Sequence, residues 1–310
     1  PAARMTVLCP MQTSLFSARI IRWLAAAAAL VLALAVTGCS ALRLGYNQGH
    51  DLAFWWLDGY FDFDADQAPR VREALRGWFA WHRANELPGY AMLLAEARRE
   101  VLEPAQAAQA CRWVDTLTQR GEAGVRQALP WLADVAVSLT PAQLAHLEQR
   151  FDKANVDFRE EFLQRDADAR RQASFKRALD RFENIYGRFD AAQRERLAQV
   201  VAASPFDAER WFAERLQRQH DLLSTLRAMQ ALPAEQRTPA RARQALDGVV
   251  ERFARSPRDA YRDHQRELRA YNCAAFATLH NLTTPAQRQR AAAKLRGWED
   301  DARVLMASGG

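Results

Sequence analysis

The chain has 310 residues, of which 49% are hydrophobic and 26% charged, with a formal net charge of +6 and a mean hydropathy of −0.36. That length suffices for one large domain or two small ones with a sizeable core. The positive balance does not point to nucleic acid, because arginines alternate with carboxylates, as in Arg98-Arg99-Glu100 and Arg194-Glu195-Arg196. Such a pattern reads as a solvated, ion-paired helix surface rather than a phosphate-binding stripe.

Near the N-terminus, Arg19 and Arg22 precede fourteen apolar residues, Trp23 to Val36, which end in Val36-Thr37-Gly38-Cys39. A short positive segment, an apolar core and small residues before a cysteine are the pattern of a bacterial lipoprotein export signal. The run is shorter than the roughly 20 residues a spanning helix needs, although an uncleaved anchor is the alternative. The expected organisation is a signal peptide over 1–38, with residues 1–10 an over-extended start before Met11. A lipidated tether over 39–46 and one all-helical domain over 47–310 would follow. Diacylglyceryl and palmitate groups on Cys39 would hold the chain to the membrane at roughly 0.8 kcal/mol per buried methylene. Ser40, rather than Asp, follows the cysteine and favours the periplasmic face of the outer membrane. Arg4, Arg19 and Arg22 would be lost with the signal and no acid with them, leaving a charge of about +3.

Beyond Cys39, apolar residues recur at intervals of three and four and alternating β-branched runs are almost absent, so helix is the default. Helix starts are marked by Phe63-Asp64-Ala65-Asp66-Gln67, Leu139-Thr140-Pro141-Ala142-Gln143 and Phe189-Asp190-Ala191-Ala192-Gln193, with Thr284-Pro285-Ala286-Gln287 as a fourth cap. In each, Asp or Thr accepts from first-turn amides while a glutamine three residues on reaches back to the cap. These signals predict helices over 47–60, 65–84, 87–102, 105–120, 122–137, 141–187, 191–203, 206–230, 239–255, 258–280 and 285–306. Within 141–187, the polar segment from Gln164 to Ser174 is either a turn or an exposed stretch of one long helix. No Gly-, Ser- or Pro-rich linker divides this region. The expected fold is all-α, a multi-helix bundle with long antiparallel helices.

Phe54 to Asp64 is the densest cluster of aromatic and acidic residues. Trp55, Trp56, Asp58 and Tyr60 are candidates for a binding surface at a membrane interface or a partner; equally, this helix could plug the bundle, with the acids as caps. Asp62, Asp64, Asp66 and Glu73 match calcium-loop positions 1, 3, 5 and 12, but Gln67 stands where the loop requires glycine, so no metal is expected. Cys111 and Cys273, 162 residues apart, form an even pair in an oxidising compartment and point to a bridge, with two buried free thiols as the alternative.

On the helix from Phe206, Arg210, Arg215 and Arg218 could bind anionic groups, although Glu209 and Glu214 favour ordinary ion pairing. The six histidines include no pair at metal-ligand spacing, and no nucleophile elbow or phosphate-cradling loop occurs. His82 and His280 could serve as acid or base only beside partners brought in by folding. No cofactor is expected.

Leu42-Arg43-Leu44-Gly45-Tyr46-Asn47, Trp55-Trp56-Leu57-Asp58-Gly59-Tyr60, Tyr271-Asn272-Cys273 and His280 to Arg288 together resemble a family of uncharacterised proteobacterial helical lipoproteins, known only as a domain of unknown function. The resemblance covers the chain from Cys39 onward. It implies an acylated, exported, all-helical protein and no particular activity. Leu139, Thr140 and Gln143 also match the Leu-Thr-x-x-Gln of small periplasmic helical chaperones, a motif that capping alone generates.

The leading expectation is therefore a non-catalytic scaffold, adaptor or binding protein, tethered by lipid and meeting an envelope protein or lipid partner. A periplasmic chaperone, a lipid-binding protein and an envelope hydrolase with dispersed His and carboxylate groups are the alternatives.

Overall fold

The computed structural model describes residues 41–164 and 166–308. The apolar run, Cys39 and the export signal lie outside them. The described residues form twelve α-helices, one 3-10 turn at Ala234–Gln236 and no strand, an all-α bundle. The helices are α1 (Ala41–Asn47), α2 (Gly49–Phe61), α3 (Gln67–Asn85), α4 (Leu87–Glu100), α5 (Ala107–Ser138) and α6 (Pro141–Phe162). They continue as α7 (Ala167–Tyr186), α8 (Ala191–Ala202), α9 (Ala208–Gln230), α10 (Pro239–Ala254), α11 (Asp259–Asn281) and α12 (Pro285–Ala307). Gly45–Gly310 cluster as one compact unit; of a separate unit, Pro1–Leu44, only the first turn of α1 is described.

Three expectations change. The segment read as a tether is helical from Ala41. The two helices expected over 105–120 and 122–137 are the single 32-residue α5. Gly121 lies inside it with open space around its α-carbon, and a mid-helix glycine costs only about 1 kcal/mol relative to alanine, too little to end a helix packed along its length. The polar stretch after Gln164 begins with a break rather than continuing one helix. α6 stops at Phe162, and Asp166 caps α7 by accepting from the amides of Asp168 and Ala169.

The four glutamine boxes, read as separate helix starts, join in pairs. The amide nitrogen of Gln143 donates to the side-chain oxygen of Gln67 at 2.6 Å and to the Asp62 carbonyl at 2.9 Å. Gln67 in turn donates to the Gln143 oxygen at 3.3 Å and the Ser138 carbonyl at 2.9 Å. Gln193 and Gln287 repeat this reciprocally at 2.8 and 3.0 Å, donating also to the carbonyls of Leu282 and Arg188. Each glutamine oxygen still accepts from its own cap amide, at Asp64, Thr140, Asp190 or Thr284. Every donor and acceptor of these four side-chain amides is therefore used, which makes the burial of Gln67, Gln143 and Gln193 tolerable.

Behind this pairing is an internal duplication. Tyr60-x-x-Phe63-Asp64-Ala65-x-Gln67 recurs as Tyr186-x-x-Phe189-Asp190-Ala191-x-Gln193, and Thr140-Pro141-Ala142-Gln143 recurs as Thr284-Pro285-Ala286-Gln287. Helix contacts repeat with the motifs: α2 packs on α3 and α6, and α3 on α5, while α7 packs on α8 and α12, and α8 on α11. The only positive-φ residues among those described, Asp62 (48°) and Gly187 (80°), occupy the same turn in each half, between the first helix and its box. The halves interlock, because α4 of the first lies along α12 of the second and α10 of the second along α5 of the first. A core of Leu129, Ala133, Leu144, Leu147, Leu226 and Met229 joins α5, α6 and α9.

Cys111 and Cys273 are bonded, with α-carbons 5.4 Å apart, and link α5 to α11, the equivalent helices of the two halves. Replacing both cysteines by serine should lower unfolding free energy by about 2–5 kcal/mol in urea titrations. For the glutamines, a double-mutant cycle on Gln67→Ala and Gln143→Ala should give a coupling of about 1 kcal/mol or more; energies that simply add would show that the two boxes act independently.

Candidate functional site

The aromatic cluster of α2 divides by helical period. Phe54 is buried beneath the Arg72 guanidinium, 3.5 Å from its ring centroid, and packs with Val71 and Leu75 of α3. On another face, Leu52, Trp55 and Trp56 are 58%, 64% and 64% exposed, at the i, i+3, i+4 spacing of one continuous strip. Asp58 is half-buried and accepts from the Phe63 amide at 3.1 Å, closing the turn after α2. Tyr60 is half-buried between Trp56, at 4.9 Å, and Phe151, with Arg150 over its ring. The carboxylate of Asp64 is engaged as a cap, accepting from the amides of Asp66 and Gln67.

The three arginines of α9 do not join this strip. α2 packs on α3 and α6, whereas α9 packs on α5, α6 and α10. Arg215 donates to Asn155 at 2.8 Å and lies over Phe158. Arg218 pairs with the buried Glu214 at 3.0 Å, and Arg210 is exposed beside Asp207 at 3.7 Å. Glu214 also receives Arg258 at 2.7 Å. Burial alone would raise its carboxyl, but donation from Arg258, Arg218 and Ser256 holds it below the ordinary 4.5.

His280 is 1% exposed, with Nδ1 2.8 Å from the Tyr186 hydroxyl and Nε2 2.8 Å from the Glu103 carbonyl. Both ring nitrogens are thus engaged by the fold. Desolvation keeps this imidazole below the ordinary 6.5 despite the Glu103 carbonyl, with Arg288 acting in the same direction as burial. His82 lies between the rings of Trp78 and Tyr90, bonded to the Tyr46 hydroxyl at 2.9 Å, and is lowered chiefly by burial against the opposing effect of Glu86. His50 and Asp51 approach to 3.5 Å at the start of α2.

Two concavities complete the picture. The first, about 560 Å³, follows one face of α5 through Thr118, Glu122, Val125, Leu129, Leu132, Val135 and Leu139, closed by α2, α9 and α10. Treating α5 as two helices concealed this face; its three- and four-residue spacing is continuous once Gly121 is kept helical. The second, about 1160 Å³, lies among α7, α8, α9 and α11, with Arg170, Arg177 and Arg181 along α7. The halves place the same α5 and α11 positions in the walls of both: Trp131 and Ala275, Leu132 and Phe276, Val135 and Leu279. Neither wall includes a histidine. Among the described residues no three His, Cys, Asp or Glu side chains converge to hold a metal ion, and no helix is long and apolar enough to cross a membrane.

Fold and surface together define an internally duplicated, all-α bundle with an exposed tryptophan strip and two clefts. The chain belongs to a family of unknown function, DUF6279, whose model matches residues 59–237. No curated protein and no solved structure matches it.

His280 and the half-buried His82 set the pH response. A neutral histidine whose folded pKa lies below 6.5 leaves only the unfolded chain able to bind a proton as pH falls below that value. Stability should therefore be flat above pH 7 and decline from about pH 6.5, by up to about 1.4 kcal/mol per pH unit per histidine. Glu214 adds loss only below 4.5, as pH falls through its lowered folded value. Thermal unfolding of His280→Asn should start from a lower Tm at pH 7.5 but slope less steeply to pH 5.5 than the parent; parallel slopes would exclude His280 as a source of the decline.

Proposed function

We propose that this protein is a lipid-anchored envelope adaptor, acylated at Cys39 on the periplasmic face of the outer membrane, that acts without catalysis by docking a second envelope protein on α2. The observation that carries this reading is the exposure of Leu52, Trp55 and Trp56 along one helix face. Large rings left in water carry an energetic cost and recur at the centres of protein contacts, where few residues dominate binding. Gly59 extends the strip by one turn, and its small side permits close approach. The export pattern from Arg19 to Cys39 supports the anchor, and Trp55 follows that cysteine by sixteen residues, so an acylated chain would hold the strip close to the membrane. The engagement of both His280 nitrogens by Tyr186 and Glu103 supports a structural rather than acid–base role for that residue.

In cells, the parent chain should incorporate labelled palmitate and fractionate with the outer membrane, whereas Cys39→Ala should do neither. A photoreactive residue at position 52 should capture one defined envelope protein, and Trp55→Ser with Trp56→Ser should reduce that capture at least tenfold with circular dichroism unchanged. Undiminished capture, or crosslinks to lipid alone, would overturn the protein-docking role of the strip.

A further inference from the structure

The cleft among α7, α8, α9 and α11 has one wall whose cations lack matching carboxylates. α7 brings Arg170, Arg177 and Arg181 to it at positions i, i+7 and i+11, one face of a helix. Every carboxylate of α7 is committed elsewhere: Asp168 to Arg171, Asp180 to Lys176 and Glu183 to Arg194. Arg170 and Arg177 donate to the carbonyls of Gln164 and Glu161 where α6 ends. Among the described residues no carboxylate pairs with either of them, or with Arg181. The other charges of the walls are Arg171 itself, Asp207, which caps α9 and lies 3.7 Å from Arg210, and the exposed Glu209.

The first half of the molecule shows what fills the equivalent place there. Aligning Tyr60 with Tyr186 and Gln67 with Gln193 sets Asp51 against Arg177, Trp55 against Arg181 and Arg72 against Ala198. Val71 and Leu197, 0% and 1% exposed, coincide in the same alignment. Asp51 and Arg72 pair between α2 and α3 at 3.6 Å, and Arg72 covers the Phe54 ring. The second half has Arg177 at the acid's position and Ala198 at the base's, so the bridge and the long side chain are both missing, and both residues line the cleft. α8 also ends after twelve residues, whereas α3 runs for nineteen.

Much of the remaining lining is apolar, and Phe206, Trp211 and Phe276 in it are 39%, 37% and 38% exposed. Large rings gathered in one concavity favour hydrocarbon, while guanidinium groups without carboxylates favour phosphate, which they grip bidentately. The volume, about 1160 Å³, exceeds the roughly 300–1,000 Å³ of drug-sized sites. From Ala167 to Phe182, α7 lines the cleft over about 22 Å at 1.5 Å per residue. An acyl chain of about 15 Å, half of a hydrocarbon core of about 30 Å, fits that length together with a headgroup.

We infer that this cleft binds a phosphate-headed lipid, its phosphate held by Arg177 and Arg181 one turn apart on α7 and its acyl chain against the rings of Phe206, Trp211 and Phe276. This goes beyond the docking role of α2 and depends neither on the tryptophan strip nor on Cys39.

The test uses the full chain in its membrane and a lysophosphatidic acid carrying a mid-chain diazirine. After irradiation, peptide mapping should place the label on α8 between Leu197 and Ala202 and on α11 between Leu268 and Leu279. Unlabelled lysophosphatidic acid should compete. The matched monoacylglycerol, which lacks the phosphate, should compete at least tenfold less well, and inorganic phosphate, which lacks the chain, should not compete at the same concentration. Arg177→Ala with Arg181→Ala should raise the competitor concentration for half displacement at least tenfold, as for loss of hydrogen bonds to a charged group. Ala275→Trp places in this cleft the ring that α5 carries at the equivalent Trp131, and should abolish labelling while the Cys111–Cys273 bond and circular dichroism remain intact. Label scattered elsewhere, or equal labelling of a folded Ala275→Trp variant, would overturn the site. Equal competition by monoacylglycerol, or an unchanged response of the arginine variant, would overturn the phosphate contact, and equal competition by inorganic phosphate would overturn the acyl chain. A photoreactive residue at position 206 that captured a protein in place of lipid would overturn the lipid in favour of an acidic peptide.

Discussion

The bundle depends on two pairs of side-chain amides, of which Gln67, Gln143 and Gln193 are buried and Gln287 half-buried. A helix start leaves amide donors without intrahelical partners, and a capping box answers two of them locally. Here the box glutamines do more, because each spends its remaining donors on another helix start and on the carbonyl of the chain entering it. Gln67 with Gln143, and Gln193 with Gln287, therefore fix how four helices begin and also which pairs of helices lie together. An apolar residue could fill the same space, but it would leave cap amides and distant carbonyls unanswered in a region largely closed to water.

The duplication explains why the two clefts share a plan while differing in chemistry. Equivalent positions on α5 and α11 form parts of both walls, yet Trp131 is answered by Ala275 and Val135 by Leu279. The first space is nearly all hydrocarbon; the second is edged by arginines of α7, among them Arg177, which covers Phe162. Constancy resides in the glutamine turns and divergence in the walls between them. Such a division lets surfaces change without disturbing the contacts that set helix order.

Much of this was legible in the residues. Thr140, Asp190 and Thr284 begin helices where their caps say they should, because capping is local chemistry between neighbours. Pairing of those caps was not legible, since it joins glutamines 76 and 94 residues apart and leaves no trace in local spacing. Gly121 misled for the opposite reason, as a local preference was overridden by packing along α5. The cluster from Phe54 to Asp64 carries apolar residues on more than one face, so periodicity alone could not say whether Phe54 or Trp55 points inward. Arg218 pairs with Glu214 one turn away, a partner that local spacing offers, whereas Asn155 as the partner of Arg215 required the fold.

The embrace of α4 and α12 has a consequence for biogenesis. A polypeptide emerges from its N-terminus, so α4 is complete long before its principal neighbour, α12, which follows it by about 200 residues. Contacts between such distant segments form late because the intervening loop must first be closed. The nascent protein thus carries a long uncovered face of α4 until α12 has been made. A premature stop before α12 would remove Gln287, leave Gln193 without its partner and leave a long face of α4 wet, so a surface made early would be exposed to holdases and proteases.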